Sequence, residues 1–128
     1  MAGTIFAHSK LLMLVFIGGG MGSVSRYILG KWLNPLLSNF PIGTLVINTL
    51  ACFILGSVWA YADQRPNQDQ LWAFLIIGFC GGFSTFSTFS FEIIQLIKSG
   101  AGIVGLAYLL LSVILGICFT VLGYALFK

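Results

Sequence analysis

The chain has 128 residues, of which 59% are hydrophobic and only 7% charged, with a formal net charge of +3. Soluble domains carry about 25% charged residues, so a soluble fold is excluded, and without a basic run there is no electrostatic footprint for nucleic acid. Cys52, Cys80 and Cys118 fall in separate apolar segments and His8 is the sole histidine, which argues against a zinc site or a disulfide framework.

Residues 11–25, 32–62, 70–91 and 99–127 contain no Asp, Glu, Lys or Arg. A bilayer-spanning helix needs roughly 20 apolar residues. The last three gaps meet this outright. The first meets it if Lys10 or Arg26 lies near an interface, or if Arg26 stands in an aqueous vestibule. The pattern predicts an all-α membrane protein: one transmembrane domain over residues 1–128, with helices at about 9–30, 43–62, 71–98 and 101–127.

The first segment is read as a retained helix. Its run Gly18-Gly19-Gly20-Met21-Gly22-Ser23 offers no A-x-A-like cleavage site, and the apolar pattern resumes at Tyr27-Ile28-Leu29. Gly18 and Gly22 have the spacing that lets helix backbones approach closely. Arg26 is expensive at the bilayer centre, by roughly 2.5–3.5 kcal/mol on insertion scales. It either snorkels from the helix end or stands in a wet vestibule, where it would attract anions. In the second helix Asn48 is both donor and acceptor, with Thr44 one turn before it on the same face. Asn48 suits an interhelical hydrogen bond, worth about 1 kcal/mol, or a pore-lining donor.

The third segment holds the sequence Gly81-Gly82-Phe83-Ser84-Thr85-Phe86-Ser87-Thr88-Phe89-Ser90. A helix facing lipid has no use for it. Polar or non-helical backbone at membrane depth is tolerated where protein or a water path surrounds it. The helix is expected to break at Gly81-Gly82, and unwound carbonyls there would suit a cation. Phe86 and Phe89 share a face. Phenylalanine has a positive ring edge, so edges beside hydroxyls make a site for a small anion, whereas ring faces suit a cation. The alternative is a packed helix with back-bonded Ser and Thr. Glu92 is the sole carboxylate within a predicted span. It is either a proton-coupling acid or a group near the membrane face that pairs with a base. In the fourth helix Tyr108 and Ser112 lie one turn apart and form a short polar stripe or ordinary packing hydrogen bonds.

Four spans put Lys10, Arg65 and Lys128 on one side of the membrane and Arg26, Lys31 and Lys98 on the other. The count of basic residues is even, so the positive-inside rule sets no orientation. Insertion both ways, with two opposed copies pairing about an in-plane axis, is the expected consequence.

At these residues the chain resembles the small bacterial fluoride channels called Fluc or CrcB. The resemblance covers essentially the whole chain. It rests on Gly22-Ser23-Val24-Ser25-Arg26-Tyr27, on Gly43-Thr44-Leu45-Val46-Ile47-Asn48, and above all on residues Gly78 to Ser90 followed by Glu92. It implies an antiparallel, dual-topology homodimer in the bacterial inner membrane, with two pores that passively export fluoride. It also implies pore roles for Phe86 and Phe89, with Asn48 donating to fluoride beside Ser87 and Thr88. Arg26 would stand in the vestibule, and Tyr108 and Ser112 would begin a polar track. A structural sodium ion at the dimer interface would be held by backbone carbonyls of Gly81 and Ser84. Two positions depart from the pattern. Gly116 stands where some members continue the track with a hydroxyl, and Ser84 stands where many have Thr.

Two other classes compete. A proton-coupled small multidrug-type exporter would use Glu92, although that class carries its carboxylate in the first helix. A non-conducting packing subunit is the other. No nucleophile–base pair or metal cluster points to an enzyme.

Overall fold

The computed structural model describes the backbone of residues 2–128 and the side chains of residues 8–128. Helix α1 spans Ala2–Leu33. Pro35 opens a 3₁₀ turn, Asn34–Leu36, and a short loop leads to α2, Ile42–Asp63. Pro41 sits just before α2, where its missing N–H costs nothing. The third span is made of two pieces. The first, α3, covers residues 69–83 and runs through a turn at Asp69–Leu71, a π-helix at Trp72–Cys80 and a last turn at Gly81–Phe83. The second, α4, is Phe86–Lys98. Gly100, with φ +84°, makes the left-handed turn that only glycine adopts readily, and α5 follows over Gly102–Phe127. By length and composition these elements make four spans able to cross a membrane.

Packing is pairwise. Helix α1 lies on α3, and α2 lies on α5. In lipid the attraction between helices comes from close van der Waals contact rather than from expelling water, so small residues line both seams. A methyl group at Gly22 would collide with the Phe79 carbonyl oxygen, and one at Gly82 with the Gly19 carbonyl oxygen. At the far end of the second seam, Trp59 packs on Tyr124 with ring centroids 4.7 Å apart. There the Tyr124 hydroxyl also donates to Asp63 Oδ2 over 3.3 Å.

Two expectations are corrected. Helix α1 begins at Ala2 rather than at about residue 9, so it takes in His8. The third span does not break at Gly81-Gly82. Gly81 has φ −63° and ψ −37°, fully helical values, and the glycine pair belongs to the final turn of α3. The interruption falls one step later, where Ser84 has ψ 158° and Thr85 has φ −151° and ψ 120°. The physical reason is contact: Gly82 is small so that α1 can touch it, not so that the chain can unwind.

Candidate functional site

The break is stabilised by side chains at both of its edges. Ser84 closes α3, its N–H and hydroxyl both donating to the Cys80 carbonyl over 2.9 and 2.7 Å. Thr85 is the N-cap of α4, and its Oγ1 accepts from the Thr88 N–H over 3.3 Å. Asn48 reaches across from α2. Its Oδ1 accepts from the Thr85 N–H at 2.9 Å, and its Nδ2 donates to the Thr85 carbonyl at 3.3 Å. A primary amide is the side chain that can meet a peptide's donor and acceptor together. Backbone groups left unpaired in a bilayer cost several kcal/mol each, so this clasp makes an extended residue at membrane depth tolerable.

Thr85 is also the hub of a hydroxyl cluster. Its Oγ1 lies 3.3 Å from Ser87 Oγ and donates to Thr88 Oγ1 over 3.1 Å. Elsewhere the hydroxyls of Thr49, Ser57 and Thr120 simply donate to the carbonyl four residues back. Ser87 and Thr88 are exposed on the isolated chain. They open onto a groove of about 710 Å³ that also receives Arg26, Lys31, Thr44 and Glu92. Arg26 is half-buried there. A second, wider cavity of about 1000 Å³ lies under the first loop and meets the groove at Asn34 and Glu92, with Lys98 on its wall.

Glu92 takes no base as partner in this cluster. Its Oε1 accepts from the Thr44 hydroxyl at 2.7 Å and its Oε2 from the Tyr108 hydroxyl at 2.8 Å. Tyr108 is fully buried and packs edge-on to Phe40 and against Phe89, with ring centroids 5.5 and 5.1 Å apart. Phe89 is 8% exposed, while Phe86 is 79% exposed although its ring centroid lies only 5.8 Å away. Phe83 points elsewhere, buried and stacked on Phe79. One turn beyond Tyr108, the Ser112 hydroxyl is the buried side-chain polar atom left without a partner among the described residues.

The structure thus gathers Arg26, Ser87 and Thr88 on one groove, with Asn48 behind them at the break. Phe86, Phe89 and Tyr108 form a run of neighbouring rings, with Ser112 one turn beyond Tyr108. Gly81 is exposed and Ser84 half-buried beside the break. Thr85 and Asn34 are two residues the sequence reading passed over. A Thr three residues before another hydroxyl, ahead of the apolar run of α4, has the form of an N-cap signal. Asn34 had only the turn chemistry of Asn-Pro to mark it.

Comparison with known proteins agrees in extent and kind. The family described as CrcB-like protein, Camphor Resistance (CrcB), matches residues 13–124. The "Fluoride-specific ion channel FluC" of Leptospira interrogans is 47% identical over 122 residues, covering 94% of this chain and 96% of the relative. Proteins of the same name from Serratia proteamaculans and Salmonella arizonae are each 43% identical, over 116 and 120 residues and at least 90% of both chains. With four apolar spans and a family match across nearly its whole length, this multi-pass membrane protein belongs to the CrcB family.

Proposed function

We propose that this protein is a passive fluoride channel that lets the anion leave the cytoplasm and so limits its toxicity. The observation that carries this reading is the groove that Arg26 lines together with Ser87 and Thr88, whose neighbours in α4, Phe86 and Phe89, hold their rings 5.8 Å apart. Fluoride is small, strongly hydrated and a strong acceptor. It sheds water only where replacement donors are already in place. The hydroxyls of Ser87 and Thr88, the second N–H of Asn48 and positive ring edges supply them, on a groove that Arg26, Lys31 and Glu92 also line. Arg26 raises the local anion concentration at the entrance. The unpartnered Ser112 hydroxyl, an expensive thing to bury at about 1–3 kcal/mol, continues the donor path beyond Tyr108. The relatives' printed name supports the choice of anion. The test is efflux from liposomes that hold only this chain. Fluoride is expected to leave rapidly while chloride is retained. Flux that requires both Glu92 and a proton gradient would point to the exporter class, and no flux at all to a packing subunit.

The working unit is an antiparallel homodimer with two pores. Phe86, a large ring bared at membrane depth on the isolated chain, supports a second copy as its cover. The even count of basic residues supports insertion in both directions. With Ala2→Cys in a background whose native cysteines are replaced, a membrane-impermeant thiol reagent is expected to label about half of the protein in intact cells, and all of it once the cells are opened. Labelling of all or none in intact cells would mean a single orientation.

A sodium ion between the two copies fits the donor set. Oxygen-only ligands suit hard cations, and the break turns amide protons away from the Gly81 and Ser84 carbonyls. Such an ion would tie the two breaks together and balance the carbonyl charge.

A further inference from the structure

We infer that Asn48 and Thr85 are positioning residues that hold the third span open, and so keep the carbonyl oxygens of Gly81 and Ser84 available to a cation; the cation itself rests on the channel reading above. In an uninterrupted helix each amide donates to the carbonyl four residues back. Thr85 N–H would then close on Gly81, and Thr88 N–H on Ser84. Both amides go to side chains instead. Asn48 Oδ1 takes the first and Thr85 Oγ1 the second. Those are the two protons that a continuous helix would give to the Gly81 and Ser84 oxygens.

The arrangement is specific to these side chains. Asn48 comes from α2, 37 positions away in sequence, and pairs with both backbone groups of Thr85. Asp in its place keeps the acceptor and loses the donor, and Leu has neither. Thr85 is 9% exposed, so water is a poor substitute for either partner. Once either side chain is removed, the cheapest repair for an amide in a bilayer is to rejoin the helix ladder. That repair consumes the carbonyl. Asn48 therefore acts on the ion path from two directions, one N–H holding the break and the other left for the anion.

The test compares the parent with Thr85→Ser, Thr85→Val and Asn48→Leu. Purified dimer is melted across a titration of sodium chloride into N-methylglucamine chloride at constant ionic strength. Thr85→Val and Asn48→Leu are expected to need at least about tenfold more sodium for half of the stabilisation, the usual penalty for losing a group that orients a metal ligand. Thr85→Ser keeps the hydroxyl and should follow the parent. A second readout needs neither sodium nor flux. Carbonyl carbon chemical shifts at Gly81 and Ser84, measured by solid-state NMR in sodium-free bilayers, should move toward helical values, at Gly81 in Asn48→Leu and at Ser84 in Thr85→Val. Unchanged shifts and unchanged sodium half-points in both variants would overturn the assignment. A parent whose melting ignores sodium would overturn the cation reading, and the carbonyl shifts alone would then decide whether Asn48 and Thr85 hold the break.

Discussion

Phe86→Ile and Phe89→Ile are each expected to lower fluoride flux by at least about tenfold, the effect of about 1.4 kcal/mol on a barrier. Isoleucine keeps the apolar character and much of the bulk of phenylalanine, but it has no positive ring edge to offer an anion. The two rings lie 5.8 Å apart and tilted by 45°, so a shared ion would meet both. Their contributions to folding differ. Phe86 is largely exposed on the isolated chain, while Phe89 is buried with Leu45 and Tyr108. Loss of flux in Phe86→Ile therefore cannot be blamed on a core defect within the chain. Phe83→Ile is the control. That ring packs against Phe79 beside Ile47 and Ala51, so its loss should cost about 1–3 kcal/mol of stability and leave the flux of properly folded protein close to the parent's. Both sets of measurements belong on monodisperse protein. Parent-like fluoride flux in Phe86→Ile and Phe89→Ile together would mean that the rings are packing and nothing more.

A large loss of folding is expected from Gly82→Ala. The added methyl group would meet only main-chain atoms, namely the carbonyl oxygen, carbonyl carbon and Cα of Gly19. A backbone contact cannot be relieved by a rotamer change. Helices α1 and α3 must separate, at a cost of about 3 kcal/mol or more, the upper end of what overpacking does. The displacement lands three residues before Thr85, so the break would shift with it. Gly20→Ala is the comparison. Nothing lies within 4 Å of a methyl group there, and alanine is the better helix former by about 1 kcal/mol. Thermal melting and the yield of monodisperse protein in detergent should separate the two variants plainly. Equal melting would show that the seam between α1 and α3 yields to a methyl group at no cost to folding.

The four spans were legible because lipid imposes a simple rule: long stretches without charge must be helical and must cross. The hydroxyl and phenylalanine run was legible for the converse reason, since it breaks that rule. The exact place of the break was not. Glycine is the residue most often found where a chain unwinds, and Gly81-Gly82 invites that reading. What glycine does at position 82 depends on Gly19 of α1, which is 63 positions away in sequence and enters no local pattern. Conversely, Thr85 leaves the helix because Asn48 is there to receive it. The two residues lie on different helices, and neither announces the other. Glu92 shows the same limit. Its place in a span marked it as unusual, yet the choice between a free acid, an ion pair and a hydroxyl-bound carboxylate was made by Thr44 and Tyr108.

Between Phe83 and Phe86 two helices meet end to end, the carbonyl end of α3 facing the amide end of α4. The aligned peptide dipoles of a helix amount to about half a negative charge at the first kind of end and about half a positive charge at the second. The interruption is therefore a junction of opposite fractional charges, set in surroundings where water screens them weakly. A cation is drawn to one lip and an anion to the other, without any ionised side chain in the junction itself. Fractional charges of this origin belong to the backbone and take up no proton. The junction's own share of the field is accordingly the same in acid as at neutrality, however steep the proton gradient across the membrane becomes.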